Sequence, residues 1–463
     1  MSDPRPNLLF IMADDHAAHA ISAYGSHLTK TPGIDRLADG GMRFDNCFCV
    51  NSICTPSRAA ILTGTYNHTN GVTGLDTHFD GRQTTFPKLL QAAGYQTAVV
   101  GKWHLGHGGV HDPTGFDYWD VLPDQGDYTD PAMIRWKAGE TDDPEGERRV
   151  VPGYVTDIIT DLSLDWLANR DPDRPFMLKL HHKAPHRNWE PAPRHAQLYE
   201  DLEVPLPATF DDDYSHRASA ARNARMRIDR DLKLEDLKVP TPEGLSPAEA
   251  KRWKFQRYIK DYLRCVAAID ENLSRTLDWL DAEGLTDDTV VVYTSDQGFF
   301  LGDHGWYDKR FMYEESLRMP FLVRYPREVQ EGAVTTDMVL NVDVAPTFLE
   351  LAGVGIPAAM QGVSFRPLLQ GRTPDDWRRS MYYRYWMHID PDHAVQAHYG
   401  IRTHHYKLIR YDGDGHGPEW ELFDLDEDPG EIHSVYDDPG YAEVVAELTQ
   451  ELWRLQAELG DAP

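Results

Sequence analysis

Four short apolar runs, spread over the first 300 residues, constrain the fold more than any other feature. They are bounded by polar residues or glycine: Leu8–Ala13, Gln96–Val100, Phe176–His181 and Val290–Thr294. Strands that are buried on both faces of a parallel sheet have this pattern. Helical patterns lie between them and stop near a glycine: Ser57–Thr63, Phe86–Ala93 and about Pro247–Asp281. The alternation predicts a doubly wound α/β sheet, with functional sites beyond the carboxyl ends of its strands.

The pattern changes after about residue 357, where short, often alternating runs replace the long apolar ones. The strand candidates are Met381–Tyr385, His398–Arg402, Tyr406–Tyr411 and Glu421–Leu425, and a helix is predicted over about Tyr441–Glu458. We therefore predict a catalytic α/β domain over residues 1–365 and a small α+β subdomain over residues 366–463. The charged, proline-containing segments Leu122–Arg149 and Pro191–Pro247 have no clean periodicity, which predicts loops and short helices over the sheet.

Composition excludes several classes of protein. Hydrophobic residues make up 41% of the 463 residues, too many for a disordered chain, and four cysteines are too few for a disulfide scaffold. With 75 acidic and 46 basic residues the net charge is −29, which argues against nucleic-acid binding. An anionic substrate would need a local cationic pocket. The first apolar run ends at Asp14 and resembles neither a signal peptide nor a membrane span, so we expect a cytoplasmic protein, with a homo-oligomer left open.

Polar residues with oxygen ligands follow two of the predicted strands. Asp14 and Asp15 end the first run, and Asp296 and Gln297 follow the run Val290–Thr294. Strand ends of this kind meet at one edge of a sheet. Three carboxylates and one amide oxygen suit Ca²⁺ or Mg²⁺ better than zinc. A single Asp after a strand is more often a turn or N-cap residue, so the metal site depends on the combination.

The segment Cys54-Thr55-Pro56-Ser57-Arg58 is the sharpest local signal. Pro56 suits the first position of a helix, which would place Cys54 at a helix N-terminus whose free N–H groups stabilise an anion. Arg58 adds a cation with bidentate geometry for oxyanions. The alternative is a buried structural cysteine, which is our interpretation of Cys47, Cys49 and Cys265.

Further cations and histidines follow other strands. Lys102 and His104 lie in Gly101–Gly106, directly after the run that ends at Val100, and His186 follows the run that ends at His181. These positions would place a cation and acid/base groups at the same edge of the sheet. A lone histidine in a loop is more often a surface residue, and Lys309 by itself is a solvated charge.

These segments together resemble the type I sulfatases of the alkaline phosphatase superfamily. Cys54–Arg58 matches the C-x-P-S-R signature, Ala59–Gly64 continues it, and Gly101–Gly106 matches the second signature. The resemblance runs in family order from Asn7 to about Tyr436. It implies an α/β fold with a large mixed, mostly parallel sheet sandwiched by helices, alkaline-phosphatase-like, and a small C-terminal antiparallel sheet plus helix.

The resemblance also implies a cofactor and a maturation partner. Cys54 would be oxidised by a formylglycine-generating enzyme to formylglycine, whose hydrated form attacks the sulfur of a sulfate ester and later expels sulfate. The metal would be Ca²⁺, with Mg²⁺ or Mn²⁺ as alternatives. Its implied ligands are Asp14, Asp15, residue 54, Asp296 and Gln297. Many relatives have Asn where this chain has Gln297, which changes the reach by one methylene.

The resemblance assigns the remaining charged residues to the sulfate. Arg58 and Lys102 would hold the diol and the developing negative charge, and His104 would be the base that releases sulfate. His186 and Lys309 would bind sulfate oxygens. His186 is the preferred acid for the leaving oxygen, and Lys309 is its competitor.

The alcohol side of the substrate is less constrained. The segment Ser295–Glu315 resembles a branch that includes N-acetylglucosamine-6-sulfatases, so we expect a small sulfated carbohydrate. The substrate-binding candidates are Arg187, Asn188, Asp303, His304, Trp306, His393 and His398. Ordinary packing at a domain boundary would account for such aromatic residues equally well. The alternatives are an aryl or alkyl sulfatase, a phosphonate monoester hydrolase or phosphodiesterase, and, remotely, a non-catalytic metal-binding relative.

Overall fold

The computed structural model describes residues 5–141, 143, 145–413 and 417–461. The strands are β1 Asn7–Ala13, β2 Met42–Phe44, β3 Cys47–Phe48, β4 Gln96–Lys102, β5 Tyr118–Leu122, β6 Ala132–Lys137, β7 Glu147–Val150, β8 Phe176–His181, β9 Thr289–Ser295, β10 Phe300–Leu301, β11 Tyr307–Asp308, β12 Phe321–Arg324, β13 Ala333–Thr335, β14 Val339–Leu340, β15 Ser380–Tyr385, β16 His398–Thr403, β17 Tyr406–Tyr411 and β18 Glu419–Asp424. The α-helices are α1 Pro32–Asp39, α2 Cys54–Thr63, α3 Asn67–Asn70, α4 Phe86–Ala92, α5 Val155–Ala168, α6 Ser219–Asn223, α7 Leu234–Leu237, α8 Pro247–Ala282, α9 Glu314–Leu317, α10 Val344–Leu351, α11 Arg366–Leu369 and α12 Ala442–Leu459.

The centre of the molecule is a ten-stranded mixed sheet in the order β13-β2-β12-β9-β1-β8-β4-β5-β6-β7. Its five middle strands, β9 to β5, run parallel, and Leu9 of β1 pairs with Val291 on one side and Leu178 on the other. These strands contain the four apolar runs and are buried on both faces. This confirms the predicted fold class. Strands that lie between two layers of helices are buried on both faces, which explains their nearly continuous apolar runs.

Helices cover both faces of the sheet. Side chains of α1, α5 and α8 form the core on one face, and side chains of α2, α4 and α10 form it on the other. The 36-residue helix α8 begins as its sequence predicts: Ser246 accepts a hydrogen bond from the Glu249 N–H at 3.3 Å, and the Glu249 carboxylate accepts the Ser246 N–H at 2.8 Å.

The prediction for Leu122–Arg149 was wrong. This segment contains β6 and β7, two antiparallel strands that extend the sheet at its edge. In β6 the only fully buried residue is Met133. Because β6 and β7 are largely exposed, they contain many polar residues and lack the apolar runs that mark the central strands. The prediction for Pro191–Pro247 was right, since this segment contains only short helices.

A separate four-stranded antiparallel sheet, β15-β16-β17-β18, forms the C-terminal part, and α12 packs against it. This confirms the predicted small antiparallel sheet plus helix. The domain division at residues 365/366 remains a prediction. Within the described residues, no helix combines the length and the apolar character that a bilayer crossing requires.

Candidate functional site

The carboxyl ends of β1 and β9 bring the predicted metal ligands together. The parallel register places Ala13 opposite Ser295, so the pairs that follow, Asp14-Asp15 and Asp296-Gln297, become neighbours. The Asp15 N–H donates to Asp296 Oδ1 at 3.2 Å, and the Gln297 amide donates to the Asp15 carboxylate. All four side chains are buried. The sheet topology therefore converts two distant sequence pairs into one cluster of oxygen ligands.

Two oxygens of this cluster fit a cation. Asp14 Oδ1 and Gln297 Oε1 are buried and accept no hydrogen bond. Asp14, Asp15 and His186 each offer an atom within 4.8 Å of the others. Carboxylate and amide oxygens form a hard donor set. The cluster could therefore hold a divalent metal ion, and His186 lies close enough to share the site.

The three carboxylates of the cluster differ in how burial and neighbouring charges shift their pKa values. Burial raises the pKa of Asp15 to about 6 and the pKa of Asp296 to about 7, and in both cases the neighbouring Asp14 adds to the rise. For Asp14 burial acts in the same direction, but the neighbouring cations Lys102, Arg58 and Lys309 lower its pKa well below the usual value. Crowded, buried carboxylates of this kind favour a bound cation.

Cys54 is the first residue of α2, next to the acidic cluster. Pro56 was predicted at the first helical position and is the third, where its missing N–H is still not needed for a helical hydrogen bond. Burial raises the pKa of the Cys54 thiol to about 11, against the lowering effect of Lys102 and Lys309. The unmodified thiol is therefore protonated and a weak nucleophile at neutral pH.

Arg58 and Lys102 lie on either side of the carboxylates. Arg58 Nε donates to Asp296 Oδ2 at 2.9 Å, and Nη1 donates to the Lys102 carbonyl oxygen at 2.7 Å. The Lys102 ammonium donates to Asp14 and, at 2.5 Å, to Gln125 Oε1. Both cations are buried, which gives the site the local positive charge that the overall charge of −29 lacks.

His104, His186 and Lys309 complete the set that the sequence predicted. His104 Nδ1 lies 3.3 Å from the Thr55 hydroxyl, and His186 Nε2 lies 3.8 Å from the Asp15 carboxylate. Burial and the charge of Lys102 lower the pKa of both imidazoles well below the usual value. Lys309 Nζ lies 2.7 Å from Asp15, and its acidic neighbours raise its pKa although burial opposes this. Two neutral imidazoles thus stand beside one charged ammonium.

Some of the predicted substrate-binding residues lie near these groups. His393 Nε2 is 3.3 Å from Asp308, the neighbour of Lys309 in sequence. Arg187 follows His186, but its Nε and Nη2 both donate to the Asp236 carboxylate at 2.6 Å. The Asn188 carbonyl oxygen accepts the Lys238 ammonium at 2.9 Å.

Asp303 contacts a different part of the molecule. Its carboxylate pairs with His19 at 3.2 Å and accepts the Leu301 N–H at 2.9 Å. Among the described residues, no direct hydrogen bond or ion pair joins Asp303 to a member of the acidic cluster.

Three other candidates, Trp306, His398 and His304, are buried among neighbouring side chains. This agrees with the alternative of ordinary packing at a domain boundary. Trp306 stacks on Tyr214 at 5.4 Å and His398 stacks on Tyr383 at 5.6 Å, with neither side chain exposed. His304 is also buried. Although burial opposes it, the carboxylates of Asp212 and Glu315, which act as acceptors, raise the pKa of His304 to about 9, so it is a buried cation of an ion network.

Sequence reasoning missed four polar residues near the site: Gln125, Lys183, Asp308 and Arg310. Asp308 and Arg310 flank Lys309 and both have left-handed backbone, at φ 81° and 95°. Non-glycine residues adopt this conformation rarely and often at functional sites. Burial, with Lys102 nearby, lowers the pKa of Lys183 to about 8. In the sequence, the position of Lys309 between two charged residues could have indicated Asp308 and Arg310. Nothing in the sequence indicated Gln125.

Comparison with known proteins gives matches over nearly the whole chain. The family profile described as Sulfatase matches residues 6–354, and the profile described as N-sulphoglucosamine sulphohydrolase, C-terminal, matches residues 302–458. An N-acetylglucosamine-6-O-sulfatase from Bacteroides thetaiotaomicron is 44% identical, over 99% of this chain and 87% of the relative.

Solved structures also match nearly the whole chain. One protein, solved in complex with its substrate D-glucosamine-2-N,6-O-disulfate, has a TM-score of 0.92 and 43% identity, covering 99% of this chain and 98% of that one. The phosphonate monoester hydrolase of Agrobacterium radiobacter has a TM-score of 0.76 and 20% identity, covering 98% and 96%. The second likeness shows the shared fold alone.

Proposed function

Since the chain belongs to the sulfatase family, we propose that it hydrolyses the 6-sulfate ester of a small glucosamine-type saccharide. The observation that carries this proposal is the cluster of Asp14, Asp15, Asp296 and Gln297 beside Cys54, with buried cations around it. The relative of 44% identity is named for the 6-sulfate of N-acetylglucosamine, and the protein of 43% identity was solved with a 6-O-sulfated glucosamine.

The acidic cluster would hold Ca²⁺, with Mg²⁺ or Mn²⁺ as alternatives. Asp14, Asp15, Asp296 and Gln297 supply the oxygens, and Asp14 Oδ1 and Gln297 Oε1 are the two with no other partner. When bound, the ion would withdraw charge from the sulfate oxygens and stabilise the negative charge that develops there.

Residue 54 would act as formylglycine after oxidation of Cys54 by a maturing enzyme. The aldehyde, once hydrated, supplies a hydroxyl nucleophile, which the buried thiol with its raised pKa does not. Cys54 is the first residue of α2, and it is close enough to Asp14 and Asp296 for their charges to affect the pKa of its thiol.

The neighbouring residues would bind the sulfate and move protons. Arg58, Lys102 and Lys309 carry fixed positive charge at the site, so they would bind sulfate oxygens as the charge grows. His104, with its lowered pKa, would accept a proton from the nucleophile residue. His186 would protonate the leaving oxygen, with Lys309 as the competing donor.

The sugar would lie on the side of Asp308, Arg310 and His393. Arg310 Nε and His393 Nε2 are buried and lack a hydrogen-bond partner, and Asp308 lies 3.4 Å from the first and 3.3 Å from the second. A carboxylate between two donors suits a pair of sugar hydroxyls. His393 is the one predicted substrate residue that belongs to this group.

The test is sulfate release by protein produced together with a formylglycine-generating enzyme. The mass of the peptide containing residue 54 must first show the loss of sulfur. We expect kcat/KM for N-acetylglucosamine 6-sulfate and D-glucosamine-2-N,6-O-disulfate to exceed that for 4-nitrophenyl sulfate, and to exceed that for a phenylphosphonate monoester by at least about 100-fold. A faster phosphonate reaction would reverse the assignment.

Two cysteine variants provide the control. Cys54→Ala should abolish turnover, whereas Cys265→Ala, which removes an equally buried thiol from α8, should retain it. Full activity in Cys54→Ala would disprove the assigned nucleophile.

A further inference from the structure

The β5–β6 connection, residues 123–131, touches both sides of the candidate site. Gln125 reaches Lys102 at the end of β4, and Tyr128 reaches His186 in the segment after β8. The Asp124 N–H donates to His107 Nε2 at 3.3 Å, in the segment that also contains His104. One short connection thus contacts the two segments, after β4 and after β8, that contain Lys102, His104 and His186.

The contact of Gln125 fixes the direction of an ammonium group. Lys102 is fully buried, and its Nζ donates to Asp14 and to Gln125 Oε1 at 2.5 Å. An ammonium has three donors, so two fixed partners set the direction of the third. Gln125 itself is only half-buried and is neutral, so it orients Lys102 without adding charge.

The contact of Tyr128 fixes a backbone segment. Its hydroxyl donates to the His186 carbonyl oxygen at 2.5 Å, and its ring stacks on Tyr154 at 6.0 Å. The Tyr128 carbonyl oxygen accepts the Val155 N–H at 2.8 Å, which ties the connection to the start of α5. The Lys183 ammonium lies 4.8 Å from the centre of the Tyr128 ring. Tyr128 therefore joins the His186 segment to a rigid helix.

We propose that Gln125 and Tyr128 are positioning residues of the sulfatase reaction, which orient Lys102 and the His186 segment at the candidate site. This inference rests on the proposed function. Neither side chain needs to touch the substrate. Small displacements of groups that stabilise a transition state reduce kcat strongly, while substrate binding changes less.

The first test replaces Gln125 by Met, which has a similar length but no amide oxygen. We expect Gln125→Met to lower kcat roughly 10- to 100-fold, with KM within about threefold. Gln91→Met is the matched control, because the half-buried Gln91 amide also forms one side-chain hydrogen bond, as donor to Asp117 at 2.7 Å, but near the opposite ends of the strands. Equal losses in both variants, or an unchanged kcat in Gln125→Met, would overturn the proposal.

A conservative variant separates positioning from a merely structural role. Gln125→Glu keeps an oxygen acceptor at the same reach, so it should recover at least part of the kcat that Gln125→Met loses. Thermal unfolding of Gln125→Met should match that of Gln91→Met. A Glu variant as slow as the Met variant would count against a role of the oxygen acceptor.

The second test removes one hydroxyl. Tyr128→Phe should lower kcat for sugar sulfates more than for 4-nitrophenyl sulfate, because an aryl leaving group needs less help from His186. Tyr154→Phe is its control: it is the stacked neighbour, and its hydroxyl donates to the Glu190 carbonyl oxygen at 2.9 Å. Equal effects of the two substitutions on both esters would refute the role of Tyr128.

Crystal structures of the variants distinguish failure of this inference from failure of the proposed function. A wild-type protein with formylglycine that hydrolyses no sulfate ester would refute the proposed function. Even then, Lys102 Nζ should move by more than about 0.5 Å in Gln125→Met relative to wild type. An unmoved Nζ would overturn the positioning role, whatever the activity.

Discussion

At the scale of single residues, Gln297 gives a direct test of the metal site. Its Oε1 is buried and unpartnered, while its amide nitrogen donates to Asp15. Replacing Gln297 by Met removes one of four oxygen ligands at nearly constant volume. We expect the affinity for Ca²⁺ to fall roughly 100-fold, measured by calorimetric titration after EGTA treatment, and activity to return at high Ca²⁺.

The control for this substitution lies in α12. Gln456 is also buried with an unpartnered Oε1, and its amide nitrogen donates to the Tyr382 hydroxyl at 3.3 Å. Gln456→Met should leave Ca²⁺ affinity unchanged. A Gln297→Met protein that binds Ca²⁺ like the wild type would show that the amide oxygen is not a ligand.

Residues of the site differed in how well the sequence predicted them. Cys54 and Arg58 are four residues apart in a signature, and Asp14 directly follows a strand, so their positions follow from local sequence. Gln125 reaches Lys102 only through the path of the connection between β5 and β6. For Trp306, which is buried and stacked on Tyr214, the sequence could not separate the two interpretations, because aromatic side chains suit sugar stacking and core packing equally well.

At the scale of elements, a carboxylate on α8 supports the start of α1. Asp270 accepts the N–H groups of Gly33 at 3.1 Å and Ile34 at 2.8 Å. A side chain on Gly33 would place its Cβ 2.4 Å from the Asp270 carbonyl oxygen, so the two helices touch at this glycine. Burial raises the pKa of Asp270 to about 6, although both N–H groups act to lower it.

This raised pKa predicts a pH dependence of stability. The unfolded chain ionises Asp270 at its ordinary pKa, so the stabilising contribution of the protonated group is present below about pH 4 and is lost as the pH rises through about 6. Asp270→Asn cannot ionise. We expect the variant to gain stability relative to wild type between pH 4 and pH 7, by up to about 3 kcal/mol. Thermal unfolding of both proteins across this range measures the difference.

Other titrating groups are common to both proteins and cancel in this comparison. A constant difference in stability from pH 4 to pH 7 would mean that Asp270 titrates normally. A difference that falls with rising pH would mean that hydrogen bonds from α1 outweigh burial and that the pKa of Asp270 is lowered instead of raised.

The elements themselves were predicted unevenly for a physical reason. The strands β1 and β8 have apolar side chains on both faces, because helices cover both, and a continuous apolar run of this length is typical of such a strand. The edge strands β6 and β7 contain exposed charged residues such as Arg135 and Glu147, which pair across the strands. Their stability comes from pairing with a neighbour, which local sequence does not encode.

At the scale of the whole molecule, the C-terminal sheet contacts the segments that hold the site. The Tyr383 hydroxyl of β15 donates to the Arg310 carbonyl oxygen at 2.6 Å and accepts the Ser52 N–H at 3.0 Å. Glu421 of β18 is fully buried and accepts the Tyr313 hydroxyl at 2.8 Å. Ser52 precedes Cys54, the proposed nucleophile position, by two residues, and Arg310 follows Lys309. The predicted subdomain over residues 366–463 should therefore not be an independent folding unit.

This contact predicts one cooperative unfolding transition for the full chain in differential scanning calorimetry. Tyr383→Phe leaves two buried backbone groups without their partner, so it should lower the free energy of unfolding by about 1–3 kcal/mol, and kcat should fall with it. Tyr441→Phe, which removes a hydroxyl that donates to Asp424 at 3.1 Å, should change stability by less than about 0.5 kcal/mol. Two resolved transitions, with Tyr383→Phe shifting only one of them, would instead establish residues 1–365 and 366–463 as separate domains. A single transition whose midpoint temperature falls as a whole in Tyr383→Phe would mean that the C-terminal sheet stabilises the site, although the two are far apart in sequence.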